Sequence, residues 1–214
     1  MQCQRNGTVS LSQTSYIQKL LDRHSLQNAK PRSTPLPVGA RLLPVTNTNT
    51  MLDDPSSYRA LVGHLNYLAT STRPDNAQAF SGLARHRHRP TKVHMQLALG
   101  VLCYLSGTRS FGLCFGGGSA TNGIYGYCDS HWEGNPQTLR STTGYALILN
   151  GAAISWSSQL QRTMAACSVE ALWLWKLAPE LSLAVSPIAI SLDSLPPHPG
   201  CNGPGAAFLN SSGS

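Results

Sequence analysis

After the break at Gly116-Gly117-Gly118-Ser119 the hydrophobic period of this chain changes, and that change constrains the architecture more than any other feature. Before the break apolar residues recur at helical spacing; after it they form short strand-like runs. Asp54 with Pro55 behind it is a helix start, and Tyr58, Leu61, Val62, Leu65 and Leu68 then form one apolar stripe. Arg73-Pro74-Asp75 breaks that helix and restarts it through Ala77, Phe80 and Ala84 into the run Arg85-His86-Arg87-His88-Arg89-Pro90. Thr91 caps a third helix carrying Val93, Leu97, Val101, Tyr104 and Leu105, stopped by Gly107. Past the glycines, residues 124–128, 144–149 and 153–156 read as strands, with Asn150-Gly151 as the hairpin turn joining the last two. Residues 163–183 read as a helix interrupted near Pro179, and residues 187–193 as a fourth strand.

The ends are less patterned. Residues 8–11 alternate like a short strand, and Ser12 is placed to cap a helix with Tyr16, Ile17, Leu20 and Leu21 on one face. Pro31, Pro35, Pro37, Gly39 and Pro44 then mark residues 30–49 as an extended connector. Residues 194–214 hold four prolines, four glycines and no charge, which predicts a disordered tail. The expected class is α/β (α+β overall), divided as 1–50, 51–115, 124–193 and 194–214.

Charge narrows the partners. The chain carries a net +7, and between residues 76 and 128 there is no Asp or Glu, while Arg85, Arg87, Arg89, Lys92 and Arg109 all fall there. A one-sign block of this kind attracts a phosphate backbone without reading sequence, so Arg85, Arg87, Arg89 and Lys92 are candidate nucleic-acid contacts. A solvated helix end would give the same pattern. Six cysteines at 3, 103, 114, 128, 167 and 201 include no C-x-x-C pair, which suits reduced thiols and excludes a structural zinc motif. His86 and His88, two apart on a helix, point different ways and make no metal module. With no signal segment and no apolar run near the length of a membrane span, the chain is expected inside the cell, in cytoplasm or nucleus, with no membrane partner.

Two strands end on carboxylates, Asp129 and Asp193, and the intervening helix carries Glu170. Carboxylates that converge at one end of a sheet hold hard divalent cations, and two Mg²⁺ ions can clamp an in-line phosphoryl displacement. The order strand, strand, strand, helix, strand is that of ribonuclease H. Nine acidic residues make some triad expected by chance, and a solvated Glu170 with a turn residue Asp193 is the plainer alternative.

Family words decide more than spacing. Leu11-Ser12-Gln13 with Tyr16-Ile17 comes first, then Ser33-Thr34-Pro35, then Tyr58-Arg59 with Gly63 and Tyr67-Leu68-Ala69-Thr70. Thr72-Arg73-Pro74-Asp75 and Tyr104-Leu105 with Gly107-Thr108 follow. Then come Gly126-Tyr127-Cys128-Asp129 with Trp132, Gly134 and Arg140-Ser141-Thr142-Thr143-Gly144-Tyr145, and finally Ala153-Ile154-Ser155-Trp156. In this order they resemble the Pol polyprotein of copia-type LTR retrotransposons, from the end of reverse transcriptase into ribonuclease H. The resemblance implies helical thumb and connection segments followed by a partial ribonuclease H-like mixed sheet. It implies that Asp129, Glu170 and Asp193 descend from a two-metal Mg²⁺ site cutting the RNA of RNA–DNA hybrids. The implied partners are such a hybrid, or other nucleic acid, and the rest of a Pol polyprotein.

The departures point away from activity. The paired-aspartate polymerase motif is not in this sequence, and His131 stands where the family has a second Asp. The segment from Ala165 to Ala171 resembles the family's catalytic-Glu word, yet Glu170-Ala171-Leu172-Trp173-Leu174 equally resembles a word further along. A deletion joining the two would shorten the helix by ~16 Å. After Ser194 the resemblance stops, and the family's last ligand segment has no counterpart there. The expectation is a Pol fragment whose hydrolytic activity is lost; an active ribonuclease H and a weak nucleic-acid-binding remnant are the alternatives.

Overall fold

A computed structural model describes residues 2–3, 7–37, 40, 42, 51–116, 124–131, 142–160, 173, 189–192 and 206–208. The chain separates into two compact units, one built from Ser10–Leu113 and the other from Cys114–Ser214 with Gln2–Val9. No described helix is long and apolar enough to cross a membrane. Mixed α and β content is as expected, with the described helices of the first unit preceding the larger sheet.

The first unit is held by helix faces that the sequence stripes anticipate. Strand β2 (Val9–Ser12) leads into α1 (Thr14–Arg23), which buries Ile17, Leu20 and Leu21. Helix α2 (Pro55–Ser71) buries Tyr58, Leu61, Val62, Leu65 and Leu68 against them. A 3-10 turn at Pro74–Asn76 redirects the chain into α3 (Ala77–Ala84), and α4 (Lys92–Gly107) closes the core with Ala98, Val101, Leu102 and Leu105. Each fully buried Leu or Ile contributes about 1.5–3 kcal/mol by removal from water. Strand β3 (Gly112–Phe115), which no sequence pattern announces, pairs with β2.

Local capping follows the sequence at two helices and departs from it at one. The Asp54 carboxylate accepts from the Ser56 and Ser57 amides at 2.9 and 3.3 Å, with Pro55 needing no partner. Thr91 Oγ1 accepts from the His94 amide while the Thr91 amide donates to His94 Nδ1, a reciprocal cap that buries His94. Ser12 does not cap α1; it ends β2, and Gln13 takes the cap position without a side-chain bond. Val93 is 48% exposed rather than core, because the buried stripe of α4 starts one residue later at His94.

Polar groups fix how α1 meets α2. Arg23 Nη1 lies 2.8 Å from His64 Nε2 and Tyr16 Oη lies 2.7 Å from Nδ1. A guanidinium only donates, so Nε2 must accept, and the ring is neutral with its proton on Nδ1 facing the Tyr16 oxygen. Burial first, then the Arg23 charge, pushes His64 below the ordinary histidine range.

The second unit holds β1 (Gln2–Cys3) and a five-stranded mixed sheet. Its strands are β4 (Ile124–His131), β5 (Thr142–Leu149), β6 (Ala152–Leu160), β7 (Ala189–Leu192) and β8 (Ala206–Phe208). They lie in the order β6-β5-β4-β7-β8, with β4 antiparallel to β5 and parallel to β7. Asn150 (φ 49°) and Gly151 (φ 84°) both take the left-handed conformation that a two-residue hairpin between β5 and β6 requires. The predicted tail of residues 194–214 needs correction at Ala206–Phe208, which pair antiparallel with β7. Main-chain pairing needs no side-chain period, so sequence patterning was blind to it. Of the expected helix at 163–183, Trp173 is described and is helical; the remainder lies outside the described residues.

Candidate functional site

The basic run is not helical. Helix α3 ends at Ala84, so Arg85 to Pro90 form a turn between α3 and α4, which corrects the placement of His86 and His88 on a helix. The cause is local. The His86 amide bonds Leu83 O at 3.1 Å, a tightened last turn, and Pro90 cannot continue a helical ladder.

Arg85, Arg87, Arg89 and Lys92 are all exposed. No described carboxylate lies within ion-pair distance of them; the described ion pair, Arg73–Asp75, is elsewhere in the unit. Arg87 Nε donates to Ala84 O at 3.2 Å, setting its positive charge on the C-terminal carbonyls of α3. Arg59, from the solvent side of α2, donates from Nε to Arg87 O at 3.1 Å. A fifth cation therefore joins the four read from sequence. The helical spacing of α2 does put Arg59 on the polar face, but its approach to Arg87 depends on tertiary packing.

His86 is the turn's inner residue. Its ring stacks on His94 with centroids 4.0 Å apart and planes 25° apart. Burial is the main cause that pushes it down to about 4, with the neighbouring His94 and Arg85 acting in the same direction and a hydrogen bond to the Leu42 backbone opposing. Burial also lowers Arg85. At neutral pH the imidazole is thus an uncharged spacer among cations, and the turn's charge belongs to its arginines and Lys92.

The carboxylate candidates are less fully placed. Asp129 lies inside β4 opposite Gly144 of β5, which corrects its expected place at the strand's end: pairing with β5 carries the strand on to His131. Glu170 and Asp193 lie outside the described residues. Tyr127 and Cys128 pair with Ser191 and Leu192 across the parallel β4–β7 junction. The Tyr125 and Tyr127 rings of β4 meet edge-on with centroids 5.8 Å apart, and Tyr127 is 49% exposed. Among the described residues no three His, Cys, Asp or Glu side chains gather as metal ligands.

Comparison with known proteins gives a consistent set. The chain is 35% identical over 211 residues to the retrovirus-related Pol polyprotein from transposon RE1 of Arabidopsis thaliana, covering 93% of this chain and 14% of that one. It is 35% identical over 202 residues to the Pol polyprotein from transposon TNT 1-94 of Nicotiana tabacum, covering 86% of this chain and 15% of that one. An uncharacterized mitochondrial protein of Arabidopsis thaliana is 39% identical over 160 residues, 75% of this chain and 65% of that protein. No family model and no solved structure matches.

Proposed function

The chain belongs to the copia-type retrovirus-related Pol polyproteins of transposons, and on that premise we propose that it binds the backbone of nucleic acid without cutting it. The substrate class is an RNA–DNA hybrid or another nucleic acid, met as part of a larger Pol polyprotein. The observation that carries the binding is the exposed run Arg85, Arg87, Arg89 and Lys92 at the α3–α4 turn, with no described carboxylate within ion-pair distance of them, joined by Arg59, which bonds the Arg87 carbonyl and also feels the Asp54 carboxylate. Phosphate neutralisation by such a cluster supplies affinity that is indifferent to base sequence and steep in salt.

The absence of cutting rests on the residues around Asp129. Two-metal hydrolysis requires carboxylate charge held in fixed geometry, and His131 supplies none at a position where a carboxylate is expected. A second reading keeps the hydrolysis, with Asp129, Glu170 and Asp193 holding Mg²⁺ to activate water on the RNA strand. It is favoured by the β4–β7 register, since Cys128 pairs with Leu192 and the next residue of each sequence is an aspartate.

One assay separates the two. Purified chain with Mg²⁺ or Mn²⁺ and a labelled RNA–DNA hybrid should shift the hybrid and leave it full length. Cleavage that disappears in Asp129→Asn would establish the second reading and overturn the first.

A further inference from the structure

Residues 30–49 read in sequence as a plain connector, yet their described part is seated on the helices of the first unit. Pro31 Cβ lies 2.9 Å from where a Cβ on Gly107 would stand, and the Arg32 guanidinium covers Gly100. The Arg32 amide donates to Cys103 O at 3.3 Å, and Leu36 and Leu42 pack against the core. The last of these contacts reaches the basic turn. The Leu42 side chain occupies the space a Cβ on Gly82 would need, beside the Arg85 guanidinium, and the Leu42 backbone faces the His86 ring. The other side of the turn is held by residues just before α2. Leu52 donates from its amide to Pro90 O at 3.0 Å, and Met51 forms an antiparallel bridge with Thr91. The stack of His86 on His94 ties the middle of the turn to the cap of α4.

We propose that the connector is a positioning element for the basic turn, with Leu42 and His86 as the positioning residues that hold the arginines in a preset arrangement. The inference rests on the nucleic-acid reading above. A loop that is ordered before binding loses less freedom on meeting its ligand, so the connector raises affinity while touching no phosphate. Leu42 and His86 act through the backbone of the turn; the cations make the contact.

The test uses the full chain and two readouts. Leu42→Gly empties the seat over Gly82 and leaves every charge in place. Amide exchange at residues 85–90, measured without nucleic acid, should quicken, while the core amides of α2 stay as protected as in the parent. Affinity for an RNA–DNA hybrid should fall on the order of tenfold, with the slope of log affinity against log salt unchanged. Leu42→Met should restore both. Arg87→Gln behaves differently, lowering the salt slope by about one. Unchanged exchange at 85–90 in Leu42→Gly, with hybrid binding intact, overturns the positioning role alone. Failure of the parent chain to bind hybrid overturns the nucleic-acid reading together with the functional half of the inference. Quickened exchange with undiminished affinity overturns that half only. Should Leu42→Gly not fold, Gly82→Ala crowds the same seat from the helix side and must give the same pattern.

Discussion

Replacing Arg73 by Ala removes a side chain that is 1% exposed and makes four hydrogen bonds within the first unit. Nε and Nη2 grip both Asp75 oxygens at 3.0 and 2.7 Å, while Nη1 and Nη2 reach Thr108 O and Oγ1 at 2.9 and 2.7 Å. The guanidinium also sits 5.6 and 5.7 Å from the ring centroids of Tyr104 and Phe111. One residue thus ties the turn after α2 to the C-terminal end of α4. Breaking a buried ion pair by removing one partner costs about 3–5 kcal/mol. Asp75 is 33% exposed and regains water when its partner leaves, so the expected loss is about 2–4 kcal/mol. Arg73→Lys keeps the charge but loses the planar fork, and should fall about midway.

The assay is urea unfolding followed by far-ultraviolet circular dichroism, since α1 to α4 all lie in the first unit. Acid adds an independent arm. Burial alone would raise Asp75, but hydrogen bonds from Arg73 and Tyr104 and the Arg73 charge outweigh it, and the carboxyl sits below its ordinary value of 3.8. A depressed carboxyl contributes stability that is present above the unfolded value and lost as pH falls through the folded one. The parent should therefore lose stability below about pH 4, and Arg73→Ala should lose less over the same interval. A change in Arg73→Ala smaller than about 0.5 kcal/mol would refute the reasoning.

His86, at about 4 in the fold, is faced by His94, Arg85 and the Leu42 backbone. Its contribution is complete above the unfolded histidine value and lost as pH falls from about 6.5 toward about 4. His86→Phe should flatten thermal stability across that window, and an unaltered pH profile would count against the assignment. Gly151 has φ 84°, a conformation that costs about 1–2 kcal/mol for a residue bearing Cβ. Gly151→Val should lower the unfolding midpoint of the sheet, read from tryptophan fluorescence, whereas an unmoved midpoint would mean that the turn tolerates another geometry.

What was legible in the sequence was what local rules govern. Asp54 and Thr91 cap helices because their side chains accept from amides two or three residues on, and Pro55 brings no amide that needs a partner. Asn150-Gly151 turns a hairpin because both residues tolerate positive φ. The α2 stripe was readable because one helical period decides burial. Ser12 failed as a cap because pairing with β3 kept it in a strand, a contact roughly a hundred residues distant in sequence. The connector's seat on Gly82 and the approach of Arg59 to Arg87 failed to appear for the same reason: neither partner carries a local signal of the other. Arg73 looked like one more charge at a helix break, and its burial depends on Thr108 and Tyr104 arriving from α4. Of the carboxylate candidates, Asp129 was read as the end of its strand but lies within it, since main-chain pairing with β5 extends β4 to His131, while Glu170 and Asp193 lie outside the described residues.

The most direct test of the central claim is the salt dependence of binding to a labelled RNA–DNA hybrid. With about five cations at the α3–α4 turn, log affinity should fall linearly with log salt, with a slope on the order of −4. Arg59→Gln should make that slope shallower by about one, as a cation joined to the turn only in the folded chain must. A slope near zero, or one that Arg59→Gln leaves untouched while Lys19→Gln reduces it, would contradict an interface at this turn.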